Sequence, residues 1–162
     1  MPHFPDIDAF RSLAKNVDFV PVYRRLIADA LTPVSAFHQI DDGSCACLFE
    51  SVVGGEKIGR YSFLAADPFL EVEASGKTVR VFHGGANTDE FTVDDPLEEL
   101  RRRVQEIRVA QIPGLPPFTS GAVGYAGYDV VRYIERLESP PLDDRKVPDL
   151  AFAFYDRMIV FD

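Results

Sequence analysis

The chain has no tryptophan, only two cysteines and only three histidines among its 162 residues. Cys45 and Cys47 are separated by a single residue. In a strand they would share a face, where a strain-free disulfide is not expected. His3, His38 and His83 are scattered, and no spacing with Cys, Glu or Asp matches a metal site. Cys45-x-Cys47 alone lacks the further ligands that soft metals need. No apolar run approaches the ~20 residues required to cross a bilayer. The opening Met1-Pro2-His3-Phe4-Pro5-Asp6 also lacks the basic and apolar stretches of a secretory signal. Positive charge is scarce: 17 Lys and Arg face 26 Asp and Glu, a formal net charge of −9. Such a surface repels nucleic-acid phosphates and anionic lipid, so neither nucleic acid nor membrane is an expected partner. These features predict a reduced, cytoplasmic protein.

What remains is ordinary globular composition, 46% hydrophobic and 27% charged, in a length suited to one domain covering residues 1–162. There is no internal repeat. A helix is predicted from about Asp6 to Lys15. Phe19 to Ala28 reads as an edge or extended segment limited by Pro21. Thr32-Pro33 caps a short helix through Ile40, with Phe37 as its buried residue. Asp41-Asp42-Gly43-Ser44 is a turn signal, and Cys45 to Phe49 the first buried strand. Leu70 to Phe82 reads as a hairpin with Ser75-Gly76 as its loop. Val72 would face Val79, Leu70 would face Val81, and Glu71 would lie opposite Arg80. A further strand is expected near Phe91 to Val93.

Asp95-Pro96-Leu97-Glu98 is a capping box for a helix through about Val109. Its apolar stripe is Leu97, Leu100, Val104 and Ile107, with Glu98–Arg102 and Glu99–Arg103 pairs on the wet side. Phe118 to Tyr125 reads as a strand, Asp129 to Leu137 as a helix, and Leu150 to Phe161 as one final strand. Helices and hairpins interspersed without regular βαβ alternation predict an α+β fold of antiparallel β-sheets with flanking helices. The strongly apolar last strand is followed at once by Asp162, which suggests a cut in a longer polypeptide.

Candidate chemistry concentrates at residues 47–68. An apolar strand ends in Glu50 and Ser51, a glycine turn follows, and the next strand opens with Arg60, Tyr61 and Ser62. A carboxylate, a hydroxyl and a cation at adjacent strand ends can receive a zwitterion; an ordinary β-connection with a polar tip has the same composition. Gly121-x-x-Gly124-x-x-Gly127 has the wrong spacing for a nucleotide loop and better suits close strand packing beside Tyr125 and Tyr128. His38 suits a hydrogen-bonded structural role. No Ser/His/Asp or Cys/His order marks a nucleophile. The residues alone therefore show no catalytic centre.

Four segments, taken in order, resemble the N-terminal domain of anthranilate synthase component I, of the chorismate-utilising enzymes. They are Phe19 to Phe37; Leu48-Phe49-Glu50-Ser51 with Gly-Arg-Tyr-Ser-Phe at 59–63; Gly121 to Asp129; and Pro148 to Asp162. The resemblance implies a parent lyase that converts chorismate to anthranilate in tryptophan biosynthesis, using Mg²⁺ and ammonia from a glutaminase subunit. Its chorismate-binding C-terminal domain, with the Mg²⁺ ligands, would lie beyond this chain, so these residues alone would be inactive. The family's Leu-Leu-Glu-Ser element contributes to the site of allosteric feedback inhibition by tryptophan. By position, Glu50 would take the ligand's ammonium, Ser51 would hydrogen-bond it, and Leu48 and Phe49 would form an apolar wall. Phe49 departs from the common leucine. Arg60 is the candidate basic residue, with Lys57 or Tyr61 as neighbouring alternatives. The rival readings are the N-terminal domain of aminodeoxychorismate synthase component I, where the site holds tryptophan as a structural ligand, and a stand-alone binding domain.

Overall fold

The computed structural model describes residues 2–50, 60–139 and 142–162. Among the described residues, eight strands form two antiparallel sheets. One has the order β1-β2-β8 and the other β5-β4-β3-β7-β6. The strands are β1 (Ala46–Phe49), β2 (Ser62–Ala66), β3 (Leu70–Ser75), β4 (Thr78–His83), β5 (Ala86–Thr92), β6 (Val123–Ala126), β7 (Leu150–Phe154) and β8 (Ile159–Phe161). Helices α1 (Ile7–Leu13), α2 (Pro33–Ile40) and α3 (Pro96–Glu106) flank them, so the predicted α+β architecture is the one observed.

Local chemistry sets the helix starts. Asp6 accepts from the Ala9 amide at 2.9 Å to open α1. Thr32 caps α2, its hydroxyl accepting from the Ser35 amide at 3.1 Å, and the Thr32 amide donates in return to the Ser35 hydroxyl at 2.9 Å. α2 packs on β2 and β1, burying Ala36 and leaving Phe37 half-buried rather than enclosed. His38 is exposed, its ring 6.3 Å from that of Phe37. Asp95 caps α3, accepting from Leu97 at 2.9 Å and Glu98 at 3.3 Å. Leu97, Leu100 and Ile107 pack on the large sheet, while Val104 turns outward. Of the expected charge pairs, Glu99–Arg103 forms at 2.7 Å. Glu98 pairs instead with Arg101, because Arg102 is drawn between Glu99 and Glu106.

The core lies on one face of the large sheet. Leu70, Val72 and Ala74 of β3, Val79 and Val81 of β4, and Leu150 and Phe154 of β7 are all buried. The period-two pattern in β3 and β4 predicts this face correctly, but the hairpin register differs from the sequence reading. Val72 pairs with Val81, Ala74 with Val79 and Glu73 with Arg80, whereas Glu71 lies opposite Phe82. The turn is Gly76-Lys77, with Ser75 already paired to Thr78. Gly76 supplies the positive φ of 56° at the first turn position, and its amide donates to Asp149 at 2.7 Å. Moving the turn one residue along keeps valine on the core face, so hydrophobic alternation alone could not separate the two registers. β5 begins earlier than expected, after a Gly84-Gly85 turn, and carries Asp89 and Glu90 on a sheet edge.

Three further expectations change. The strand read from Phe118 contracts to Val123–Ala126, because Gly121 turns the chain with φ 131°. The helix read over Asp129–Leu137 is a 3-10 helix, Tyr128–Tyr133. Its Asp129–Arg132 pair at 2.6 Å matches three residues per turn. Most consequentially, Leu150–Phe161 is two strands. β7 pairs with β3 and β6, whereas β8 pairs with β2 in the other sheet. Tyr155, Asp156, Arg157 and Met158 carry the chain across. The reading of Phe19–Ala28 as extended holds: Phe19 bridges Val109 and Tyr23 bridges Phe4.

Candidate functional site

The change of sheet between β7 and β8 creates a cavity of about 300 Å³. β1 and β2 contribute Cys47, Phe49 and Phe63 on one side, and β6 and β7 contribute Gly124 and Phe152 on the other. Tyr155 and Met158 of the crossing segment complete the wall. Phe118, reached through the proline-rich loop, meets Phe63 edge-on, with centroids 5.9 Å apart and planes at 85°. An aromatic-walled space of this size suits a flat apolar group.

Gly124 lets the walls approach. A Cβ there would stand 2.0 Å from the Ala151 carbonyl oxygen, so no side chain fits between β6 and β7. The glycine–tyrosine segment thus serves close strand packing, as its spacing predicts. The walls are also electrically neutral. Partial burial raises the thiol of Cys47 above its ordinary range. Burial likewise raises the Tyr155 phenol, whose oxygen lies 3.4 Å from Cys45 Sγ. Both cysteines are free thiols.

The polar candidates sit at one end of the small sheet. Phe49 lies opposite Phe63 and Ser62 opposite Phe161. Glu50, Arg60 and Asp162 are thereby gathered at the same strand ends. Phe49 is 53% exposed and lines the cavity, so β1 is less enclosed than its apolar run predicts. Leu48 is half-buried and, by strand alternation, faces the other side of β1. Glu50 is exposed just beyond β1. Ser51 and Lys57 lie outside the described residues. Arg60 lies two residues before β2, with its guanidinium carbon 5.0 Å from the Tyr61 ring centroid.

Arg60 already has an anionic partner. Its Nε donates to one Asp162 oxygen and its Nη2 to the other at 2.8 Å. These hydrogen bonds raise the Arg60 pKa and hold the Asp162 carboxyl below its usual range. Sequence reasoning missed Asp162 and the aromatic walls Phe63, Phe118 and Tyr155. They come from segments up to a hundred residues apart, and no local spacing links them. Among the described residues no group of three or more His, Cys, Asp or Glu could hold a metal ion. Among them, too, no helix is long and apolar enough to cross a membrane.

No family model matches the chain. It is 38% identical over 160 residues to anthranilate synthase component 1 of Acetivibrio thermocellus, covering 98% of this chain and 32% of that relative. It is also 38% identical over 154 residues to the Pseudomonas putida protein of the same name, covering 94% of this chain and 31% of the relative. Against the chloroplastic anthranilate synthase alpha subunit 2 of Arabidopsis thaliana, identity is 38% over 166 residues, with 94% and 27% covered. The chain therefore spans about a third of the length of these curated relatives. The crystal structure of anthranilate synthase component I from Streptococcus pneumoniae TIGR4 matches 86% of this chain and 29% of that one, with 28% identity and a TM-score of 0.49.

Proposed function

This chain belongs to the anthranilate synthase component I family, and on that basis we propose that it is the N-terminal regulatory domain of such a component, contributing one wall of a tryptophan feedback site. The supporting observation is the aromatic cavity lined by Cys47 and Phe49, on the element that ends in Glu50 and resembles the family's tryptophan-binding segment. In this reading the ligand's indole enters the space lined by Phe49, Phe63 and Phe118. Its ammonium pairs with Glu50, Ser51 hydrogen-bonds it, and its carboxylate is drawn towards Arg60. Leu48 supports the wall from the far side of β1.

The whole protein, in this proposal, is a cytoplasmic lyase that forms anthranilate from chorismate, with ammonia delivered by a glutaminase subunit. Mg²⁺ would be held by the chorismate-binding domain, where it would offset the substrate's negative charge. This chain's own part is to bind an amino acid and convey its presence. A ligand acts on catalysis only through its difference in affinity for two conformations, so the pocket must change when the catalytic half does.

The test is anthranilate formation by the full-length protein, followed by its fluorescence, with tryptophan added. Glu50→Gln removes one charge-assisted hydrogen bond, a loss of about 1.5–3 kcal/mol, and should raise the half-inhibitory tryptophan concentration about tenfold or more. Unchanged inhibition in that variant would refute the site. Aminodeoxychorismate as the product would instead favour the related synthase.

A further inference from the structure

Strand β8 is three residues long and, among the described residues, lies on an edge of the small sheet with β2 as its pairing partner. Both of its ends are clipped to the ends of that neighbour. Arg157, just before β8, donates to Asp67, just after β2, at 2.6 Å. Asp162, just after β8, accepts both bonds from Arg60, just before β2. All four side chains are more than half exposed, at 55–71%. Water and salt compete for such pairs, and a three-residue ladder adds little to hold the strand. The segment leading into β8 also forms part of the cavity wall, through Tyr155 and Met158. One short edge strand therefore touches the cavity at its start and holds the candidate ligand cation at its finish.

We propose that Asp162 is an internal competitor for the ligand's carboxylate at Arg60, and that β8 is the element this competition releases. The proposal rests on the reading of Arg60 as the partner of an amino-acid carboxylate. The guanidinium presents its Nε and Nη2 to one carboxylate at a time, since the Asp162 oxygens occupy both donors of that edge. A ligand carboxylate on the same edge must displace Asp162. β8 then loses its Arg60–Asp162 clip while the Asp67–Arg157 clip remains, and its pairing with β2 loosens at Phe161. By the same competition, ligand affinity is lower than the pocket alone would give, by the strength of the Arg60–Asp162 pair.

Two measurements on the full-length protein test this with tryptophan as the probe. Asp162→Asn leaves the shape but removes the competing charge, and should lower the half-inhibitory tryptophan concentration roughly two- to fivefold, the range for exposed ion pairs. In the unaltered protein, saturating tryptophan should speed amide exchange at Phe161 and Asp162. Exchange in β3 and β7 should stay unchanged. If Glu50→Gln weakens inhibition but Asp162→Asn changes nothing and β8 exchange is unmoved, the competition is wrong and the pocket stands. If Glu50→Gln leaves inhibition intact, the pocket itself fails and the competition falls with it.

Discussion

Single side chains decide how closely this fold can pack and where its charges rest. Gly124 is the sharpest case, because Ala151 and Phe152 occupy the space a Cβ needs. Gly124→Ala should push β6 off β7 and cost about 1–3 kcal/mol, the range for overpacking a filled interior, read as a lower urea midpoint at constant slope. Asp18 is a second. It accepts from Arg108 Nε and Nη2, each at 3.0 Å, and ties the N-terminal segment to the residues after α3. Hydrogen bonds from Arg108 lower its pKa from 3.8 to about 2. A depressed folded-state value means the clasp contributes fully above the unfolded pKa and is lost as pH falls from about 3.8 through about 2. Asp18→Asn should abolish that acid-dependent step, checked by amide exchange at Phe19 and Ala110 between pH 5 and 2.

At the level of elements, α3 shows how far local rules reach. Its cap, its first-turn proline and its core-facing side follow from Asp95, Pro96 and the spacing of Leu97 and Leu100, whereas Ile107 packs on the core from the extended residue that ends the helix. Asp95→Ala should remove the acceptor for two amides and destabilise the domain by about 1 kcal/mol, measured by denaturant unfolding. Strands were less legible. The alternation of Leu70, Val72, Val79 and Val81 identified the buried face, yet it left the turn free to move by one residue. Gly76 and its bond to Asp149, 73 residues away, select the register seen. The Leu150–Phe161 run marks its division only by the adjacent Asp156-Arg157, which the wet side of one continuing strand could equally carry.

For the molecule as a whole, the two sheets matter less for their strand content than for the space between them. The cavity exists because consecutive strands β7 and β8 join different sheets. If the pocket is completed by the chorismate-binding domain, the 162-residue chain alone should form no anthranilate and bind tryptophan only weakly. Indole fluorescence would report that binding cleanly, because the chain contains no tryptophan of its own. Low-micromolar affinity in such a titration would show that this domain carries a sufficient site unaided.

Helix starts, the core face of β3 and β4, the α+β class and the placing of Glu50 at a strand end all depend on neighbours within a few residues, where capping and side-chain period act. The pairing of Arg60 with Asp162, the aromatic walls and the splitting of the last strand between two sheets depend on contacts across the chain. Folding alone brings those groups within hydrogen-bonding or van der Waals reach, and no local pattern encodes which distant partner each will meet.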